Sequence, residues 1–153
     1  MMLSEGDKAP EVTLALADGA KPLSAWQGRA LVLYFYPKDD TPGCTTEAKD
    51  FSALAADFAA AGADVVGVSK DSPAKHGKFI VKHDLTIPLA SDEDGAVCEA
   101  FGTWIEKSLY GRQYMGIDRA TFLIDGTGTL RRIWRKVKVK GHAEAALEAV
   151  KAL

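Results

Sequence analysis

The alternation of apolar and polar positions predicts a series of strands and helices. A continuous apolar run over residues 30–36 (ALVLYFY) ends at Pro37, and its aromatic and β-branched content favours a central strand covered on both faces. Residues 45–61 instead repeat apolar side chains every three or four positions, which predicts a helix ended by Gly62. A second buried strand is predicted over residues 64–69, so this half of the chain has the order of a parallel crossover unit.

The remainder of the chain predicts shorter elements and a closing helix. Ser72 and Pro73 fit the cap and first position of a helix that runs to about residue 82. The turn signal DGTG at 125–128 joins two strands in a hairpin. Further strands are predicted at 12–16, 87–89, 119–125 and 129–137, and further helices at 94–101 and 143–153. This order favours an α/β, thioredoxin-like fold with a central mixed sheet flanked by helices and an antiparallel end, although a flavodoxin-like domain has a similar order.

Composition and charge narrow the class of protein. A chain of 153 residues with 47% hydrophobic and 26% charged residues predicts a single domain over 1–153 that needs no disulfide staple. The net charge of −2 gives no general attraction to nucleic acid or anionic lipid, and no apolar run approaches the roughly 20 residues of a membrane helix. Residues 1–8 lack the pattern of a secretory signal, so we expect a cytoplasmic protein. The three histidines lack metal-ligand spacing, and Gly126-x-Gly128 lacks the third glycine of a dinucleotide-binding loop, so we expect neither metal nor cofactor.

Cys44 is the residue that the sequence singles out for chemistry. It lies at the start of a predicted helix and after the carboxyl end of the central strand, where open α/β sheets place their ligand crevice. Unpaired backbone N–H groups and the helix dipole favour a thiolate there, and the thiolate is the nucleophilic form. Thr41 supplies a hydroxyl able to donate to the sulfur or to an incoming oxygen, while Pro42 fixes the loop and Gly43 permits close approach. The polar flanks argue against a small buried filler, the alternative for a free cysteine.

The segment around Cys44 resembles a known family. Residues 35–47 (FYPKDDTPGCTTE) look like the active-site segment of the peroxiredoxins, with the pattern Pro-x-x-x-Thr-x-x-Cys at Pro37, Thr41 and Cys44. The sequence is most similar to the Q-type branch, also called bacterioferritin comigratory proteins, and the resemblance extends over nearly the whole chain. The other similar segments are 6–10 (GDKAP), 91–92 (SD), 101–102 (FG), 110–111 (YG), 119–125 (RATFLID) and 134–137 (WRKV).

The resemblance implies a thioredoxin fold and a peroxidase that reduces hydrogen peroxide and organic hydroperoxides. It implies that Cys44 is the peroxidatic cysteine, that Thr41 and Pro42 are its loop partners, and that Arg119 is the active-site arginine. Arg119 is permanently charged and carries several donors, which suits it to stabilise a thiolate and to polarise a peroxide. Glu47 lies in the same first helical turn and is a candidate to orient Arg119 through a salt bridge, although the helix dipole alone accounts for a carboxylate there.

The second cysteine departs from the family pattern. Many relatives carry it five positions after the first, where this chain has Lys49, and others carry it in the next helix, at a position aligned near Ile80. The remaining thiol, Cys98, lies on the apolar side of a predicted short helix and is expected in the core. We therefore expect a one-cysteine mechanism, in which an external thiol of the thioredoxin, glutaredoxin or glutathione type resolves a sulfenic acid on Cys44. A two-cysteine mechanism through Cys98 is the alternative.

Two functions of other classes compete with a peroxidase. A non-catalytic redox sensor would use the same thiol but would react once and stop. A nucleic-acid module is suggested by the six basic residues within 131–140, but basic and apolar positions alternate there as in a half-buried strand with a solvated face. We expect no nucleic-acid or membrane partner and a monomer or weak homodimer. Trp26, Trp104 and Tyr110 are expected in the core or at a pocket rim.

Overall fold

A computed structural model describes residues 2–153 of the chain. Seven strands form one sheet in the order β2-β1-β5-β4-β3-β8-β9, and β6 and β7 form a separate hairpin. The strands are β1 (Thr13–Leu16), β2 (Gly19–Pro22), β3 (Ala30–Phe35), β4 (Ala63–Ser69), β5 (Leu89–Ser91), β6 (Trp104–Leu109), β7 (Arg112–Ile117), β8 (Ala120–Ile124) and β9 (Leu130–Trp134). The helices are α1 (Pro42–Ala53), α2 (Ala55–Ala60), α3 (Pro73–His83), α4 (Ala96–Ala100) and α5 (His142–Lys151).

Strand β3 is the centre of the sheet, and all six of its residues are buried. It pairs in parallel with β4, which pairs in parallel with β5. On its other side it pairs antiparallel with β8, which pairs antiparallel with β9. The prediction of a mixed sheet with a parallel first half and an antiparallel end is therefore confirmed.

The sheet separates two apolar cores, because successive side chains of a strand point to opposite faces. Val32 and Tyr34 point into one core, which we call the α1 face because Cys44 and Phe51 of α1 pack there. Leu31, Leu33 and Phe35 point into the other core, which we call the α4 face. The α4 face contains Cys98 and Phe101 beside Phe122 of β8. The two cysteines of the chain therefore belong to different cores.

The helix predicted over 45–61 begins earlier and is interrupted. Helix α1 starts at Pro42, with Thr41 in the cap position. Proline is well tolerated at the first helical position, because an N–H group there would have no acceptor within the helix. Leu54 ends α1 with φ −100° and ψ 3° and precedes α2. The predicted cap of α3 is confirmed, since the Ser72 side chain accepts from the Lys75 amide at 3.3 Å. Pro88 precedes β5 directly, so it marks a strand end, although β5 is an interior strand and not an edge.

Two hairpins are absent from the sequence-based prediction. They are β1–β2, and β6–β7 with its tip at Tyr110 and Gly111, which both have positive φ. Tyr110 is 95% exposed at this tip, so its expected place in the core or at a pocket rim was wrong. Trp26 is buried and Trp104 is half-buried, as expected.

The strand predicted over 129–137 ends at Trp134, and Lys136 has a positive φ of 50° that no strand allows. Across residues 2–153, each helix is too short or too polar to cross a bilayer.

Candidate active site

The candidate site lies at the carboxyl end of β3 and is assembled by strand register. Phe35 at the end of β3 pairs with Ala120 at the start of the antiparallel strand β8. Arg119, which precedes Ala120, therefore lies beside the point where the chain leaves β3 for α1. This register brings Arg119 and Cys44 together although they are 75 positions apart in the sequence.

Cys44 lies in the first turn of α1, as predicted, and its sulfur contacts a guanidinium. Arg119 Nη2 donates to Cys44 Sγ at 3.3 Å. The Cys44 side chain is buried, with 2% exposure, whereas the neighbouring Pro42 and Gly43 are exposed. The sulfur is thus shielded from solvent although the two residues before it in the chain are exposed. The guanidinium contact and the place in the first turn of α1 distinguish the surroundings of Cys44 from those of a purely apolar filler.

Glu47 fixes the other end of the Arg119 guanidinium. Arg119 Nη1 donates to Glu47 Oε1 at 2.6 Å, so the salt bridge expected from the sequence is confirmed. Burial raises the pKa of Glu47 to about 7, against the opposing effect of Arg119. Burial lowers the pKa of Arg119, but Glu47 and Cys44 outweigh it and leave this pKa above its ordinary value. The arginine is therefore a permanent cation between a thiol and a carboxyl group.

The loop before α1 uses its polar groups to hold its own shape. The Thr41 hydroxyl donates to the Lys38 carbonyl at 2.8 Å, and the Thr41 carbonyl accepts from the Thr45 amide at 2.8 Å. The hydroxyl proton of Thr41 is thus engaged within the loop, whereas the sequence suggested a donor to sulfur or substrate. A Cβ atom on Gly43 would lie 3.3 Å from Arg119 Nη2. Glycine at this position therefore leaves room for the guanidinium beside the helix.

A buried polar network that the sequence does not predict lies behind the loop. The Asp39 carboxylate accepts from the Tyr36 hydroxyl at 2.5 Å and lies 2.7 Å from His76 Nδ1 of α3. The Asp39 amide donates to Asp71 Oδ2 at 2.8 Å. A local signal exists for Asp39, since it lies three positions after the apolar run, in a short loop between two prolines. Its partner His76 is 37 positions away and carries no local signal.

Cys98 lies in the core of the α4 face, as expected, with 0% exposure. Burial raises the pKa of its thiol to about 12, and the neighbouring Asp92 acts in the same direction. Lys49 is exposed on α1, and Ile80 on α3 is half-buried against the α1 face. The structure thus keeps the second thiol neutral and away from the site.

The sequence matches the model of the AhpC/TSA family over residues 5–133. Among curated proteins, Peroxiredoxin Bcp of Xanthomonas campestris is 50% identical over 143 residues, which cover 93% of this chain and 89% of that protein. Peroxiredoxin Bcp of Bacillus subtilis is 49% identical over 152 residues, which cover 99% and 97%.

Solved structures with the same fold come from the same group of proteins. Peroxiredoxin Q of Xanthomonas campestris superposes with a TM-score of 0.88 at 51% identity, covering 92% of this chain and 90% of that one. A cysteine-to-serine variant of PrxQ from Xylella fastidiosa superposes with a TM-score of 0.93 at 42% identity, covering 99% and 98%. Another Xanthomonas structure, with a TM-score of 0.87 at 50% identity and the same coverage as the first, concerns alkyl peroxide reduction by its bacterioferritin comigratory protein. The predicted thioredoxin-like fold is thereby confirmed.

Proposed function

Because this chain belongs to the AhpC/TSA family and is a peroxidase of the peroxiredoxin type, we propose that Cys44 is the sulfur that attacks the peroxide. The observation that carries this proposal is the contact of 3.3 Å between Cys44 Sγ and Arg119 Nη2 at the N-terminus of α1. The guanidinium of Arg119 is a permanent cation that can stabilise negative charge on the attacking sulfur and on the leaving oxygen. We propose hydrogen peroxide and organic hydroperoxides as substrates.

In the first step, the Cys44 thiolate attacks one peroxide oxygen in line with the O–O bond. The S–O bond forms as the O–O bond breaks, and the leaving oxygen departs as an alkoxide or hydroxide that takes a proton from solvent. The sulfur becomes a sulfenic acid and the peroxide is reduced to an alcohol or water. Negative charge moves from sulfur toward the leaving oxygen, so a fixed guanidinium beside both atoms stabilises the transition state more than the ground state.

In the second step, an external thiol attacks the Cys44 sulfenic acid and releases water, which leaves a mixed disulfide. A second external thiol then attacks this disulfide, restoring Cys44 and leaving the reductant oxidised. We propose a reductant of the thioredoxin, glutaredoxin or glutathione type. The one-cysteine character is supported by the separation of the two thiols, since Cys44 packs on the α1 face and Cys98 on the α4 face. The residues at the two other family positions, Lys49 and Ile80, are not thiols.

The test is a peroxidase assay with several thiol donors on the wild type and on two matched variants. We expect Cys44→Ser to lose peroxidase turnover, and Cys98→Ser to keep it within about twofold because its thiol is buried and neutral. Retained turnover in Cys44→Ser would remove the proposal. Oxidation that stops after one equivalent of peroxide with every thiol donor would favour the redox-sensor alternative.

A further inference from the structure

The buried contact between Asp39 and His76 joins the loop before Cys44 to helix α3. The two side chains are 6% and 4% exposed. His76 Nε2 lies 3.0 Å from the Ala90 carbonyl, and His76 Nδ1 lies 2.7 Å from Asp39 Oδ2. The second carboxylate oxygen of Asp39 accepts from the Tyr36 hydroxyl. The network thus contacts the end of β3, the loop, α3 and β5.

The geometry of this contact is that of a hydrogen-bonded pair. A carbonyl oxygen only accepts hydrogen bonds, so His76 Nε2 must carry a proton. A carboxylate oxygen cannot lie 2.7 Å from a bare ring nitrogen without a proton between them. The distance of 2.7 Å therefore places a hydrogen bond between Asp39 Oδ2 and His76 Nδ1. Removing one partner of a buried pair of this kind destabilises the protein, because the atom that it paired with is left unsatisfied.

The loop transmits this anchoring to Cys44. The Asp39 amide is tied to Asp71, and the Lys38 carbonyl is tied to the Thr41 hydroxyl, so both sides of Asp39 are held. Thr41 is the cap of α1, and its carbonyl accepts from the Thr45 amide. Displacement of the loop would therefore remove the first hydrogen bond of the helix that carries Cys44.

We propose that Asp39 and His76 act as positioning residues that hold the first turn of α1 closed and thereby set how often Cys44 opens to a protein-sized thiol. Cys44 is 2% exposed, so a small peroxide needs a minor adjustment, whereas a bulky reductant must wait for the turn to open. Weakening the contact should raise the opening frequency while the closed form still dominates. The peroxide step should then change little, and the reductant step should accelerate. This consequence rests on the proposed role of Cys44, whereas the opening itself does not.

Hydrogen exchange of the Thr45 amide measures the opening without reference to activity. Asp39→Ala removes the carboxylate that pairs with the Tyr36 hydroxyl and with His76 Nδ1, which leaves these two groups only their longer mutual contact of 3.5 Å. This variant should raise the exchange rate by about 30-fold or more. Asp39→Asn can accept from Tyr36 and donate to a neutral His76, so it loses only the charge assistance and should raise the rate about 3- to 10-fold.

The matched control is Asp40→Asn, in the same loop. Asp40 contacts Lys82 and His83 of α3, the helix that also carries His76. Asp40 is 44% exposed, and exposed ion pairs contribute little to stability. Its φ of 60° is also well tolerated by asparagine. We expect the exchange rate of the Thr45 amide to change by less than about twofold in Asp40→Asn. Amides of the central strand β3 should exchange at the wild-type rate in all three variants.

The proposal is supported if the exchange rate of the Thr45 amide is highest in Asp39→Ala, lower in Asp39→Asn and lowest in Asp40→Asn. Thioredoxin should also reduce oxidised Cys44 faster in the two Asp39 variants, while the rate of reaction with hydrogen peroxide stays unchanged. If Asp39→Ala does not fold, the comparison of Thr45 amide exchange between Asp39→Asn and Asp40→Asn tests the proposal. Equal exchange in Asp39→Asn and Asp40→Asn would overturn the proposal, as would equal acceleration at β3, since that would indicate global destabilisation. Peroxidase activity in Cys44→Ser would remove the proposed function and leave the exchange result standing.

Discussion

A single guanidinium performs two tasks at the residue scale. Arg119 contacts the Cys44 sulfur with one terminal nitrogen and Glu47 with the other. A lysine ammonium is a point charge on a flexible stem and cannot hold both contacts in a fixed plane. The identity of the cation, and not its charge alone, therefore determines the geometry around the sulfur.

We expect Arg119→Lys to lower kcat/KM for hydrogen peroxide by about 10²- to 10³-fold, the range found when one fixed donor to a developing charge is lost. Steady-state kinetics against the wild type measures this loss. Arg112→Lys on the exposed hairpin is the control and should keep wild-type kinetics. A loss below about threefold in Arg119→Lys would show that charge alone suffices.

Glu47 gives the protein a pH-dependent stability with a definite sign. Burial raises its pKa from 4.5 in the unfolded chain to about 7 in the folded protein, so the folded state binds this proton more tightly. The stabilisation that proton binding by Glu47 gives to the folded state is fully present below about pH 4.5 and is lost as the pH rises through about 7. We expect the wild type to lose up to about 3 kcal/mol relative to Glu47→Gln between pH 5 and pH 8. Denaturant unfolding of both proteins at several pH values measures this difference, and parallel curves would contradict it.

At the scale of elements, the first turn of α1 is shaped around the arginine. A Cβ atom on Gly43 would come within 3.3 Å of Arg119 Nη2, so the guanidinium would have to move by a few tenths of an ångström. Gly77 in α3 offers the opposite case, since a Cβ there would have no neighbour within 4 Å. Neither glycine has the positive φ that would forbid alanine.

We therefore expect Gly43→Ala to lower kcat/KM for peroxide by about 3- to 10-fold through displacement of the guanidinium. Its free energy of unfolding should stay the same or rise by up to about 1 kcal/mol, because alanine is the better helix former. Gly77→Ala should gain a similar stability with unchanged kinetics. Paired kinetics and denaturant unfolding measure both effects. Equal activity of the two variants would mean that the contact at Gly43 does not position the arginine.

The predictability of each element follows from how its residues are buried. Strand β3 is predictable because burial on both faces makes its residues a continuous apolar run, and α3 because Ser72 and Pro73 form a local start signal. The β6–β7 hairpin was missed because its residues are mostly exposed and follow no alternation, with Ile117 the buried exception. The start of α1 is harder to predict, because Pro42 fits a loop as well as the first position of a helix.

At the scale of the whole molecule, the site depends on contacts between distant segments. From the residues alone, Arg119 is a surface arginine at a strand start, and its proximity to Cys44 came from the family resemblance. The physical cause is the antiparallel register of β8 on β3, which no local pattern encodes. The same holds for Asp39 and His76, which meet because α3 packs beside the loop.

The division of the core by the sheet also determines what the second cysteine can do. Cys44 belongs to the α1 face and Cys98 to the α4 face, so a bond between them requires at least one helix to leave its core. A disulfide needs Cα atoms within about 7 Å, which such an opening must supply. In the folded protein, we therefore expect Cys98 not to react with a sulfenic acid on Cys44.

We expect peroxide-treated protein without denaturant and without an external thiol to carry an oxygen adduct on Cys44 and no intramolecular disulfide. With rising urea, the disulfide should form at a rate that follows the unfolded fraction, because opening of the cores limits it. Intact-mass measurement after quenching with an alkylating reagent distinguishes the two products. Cys98→Ser should show the adduct at every urea concentration. Disulfide formation in the absence of urea, as fast as peroxide is consumed, would show that α4 opens readily and that the protein uses a two-cysteine mechanism.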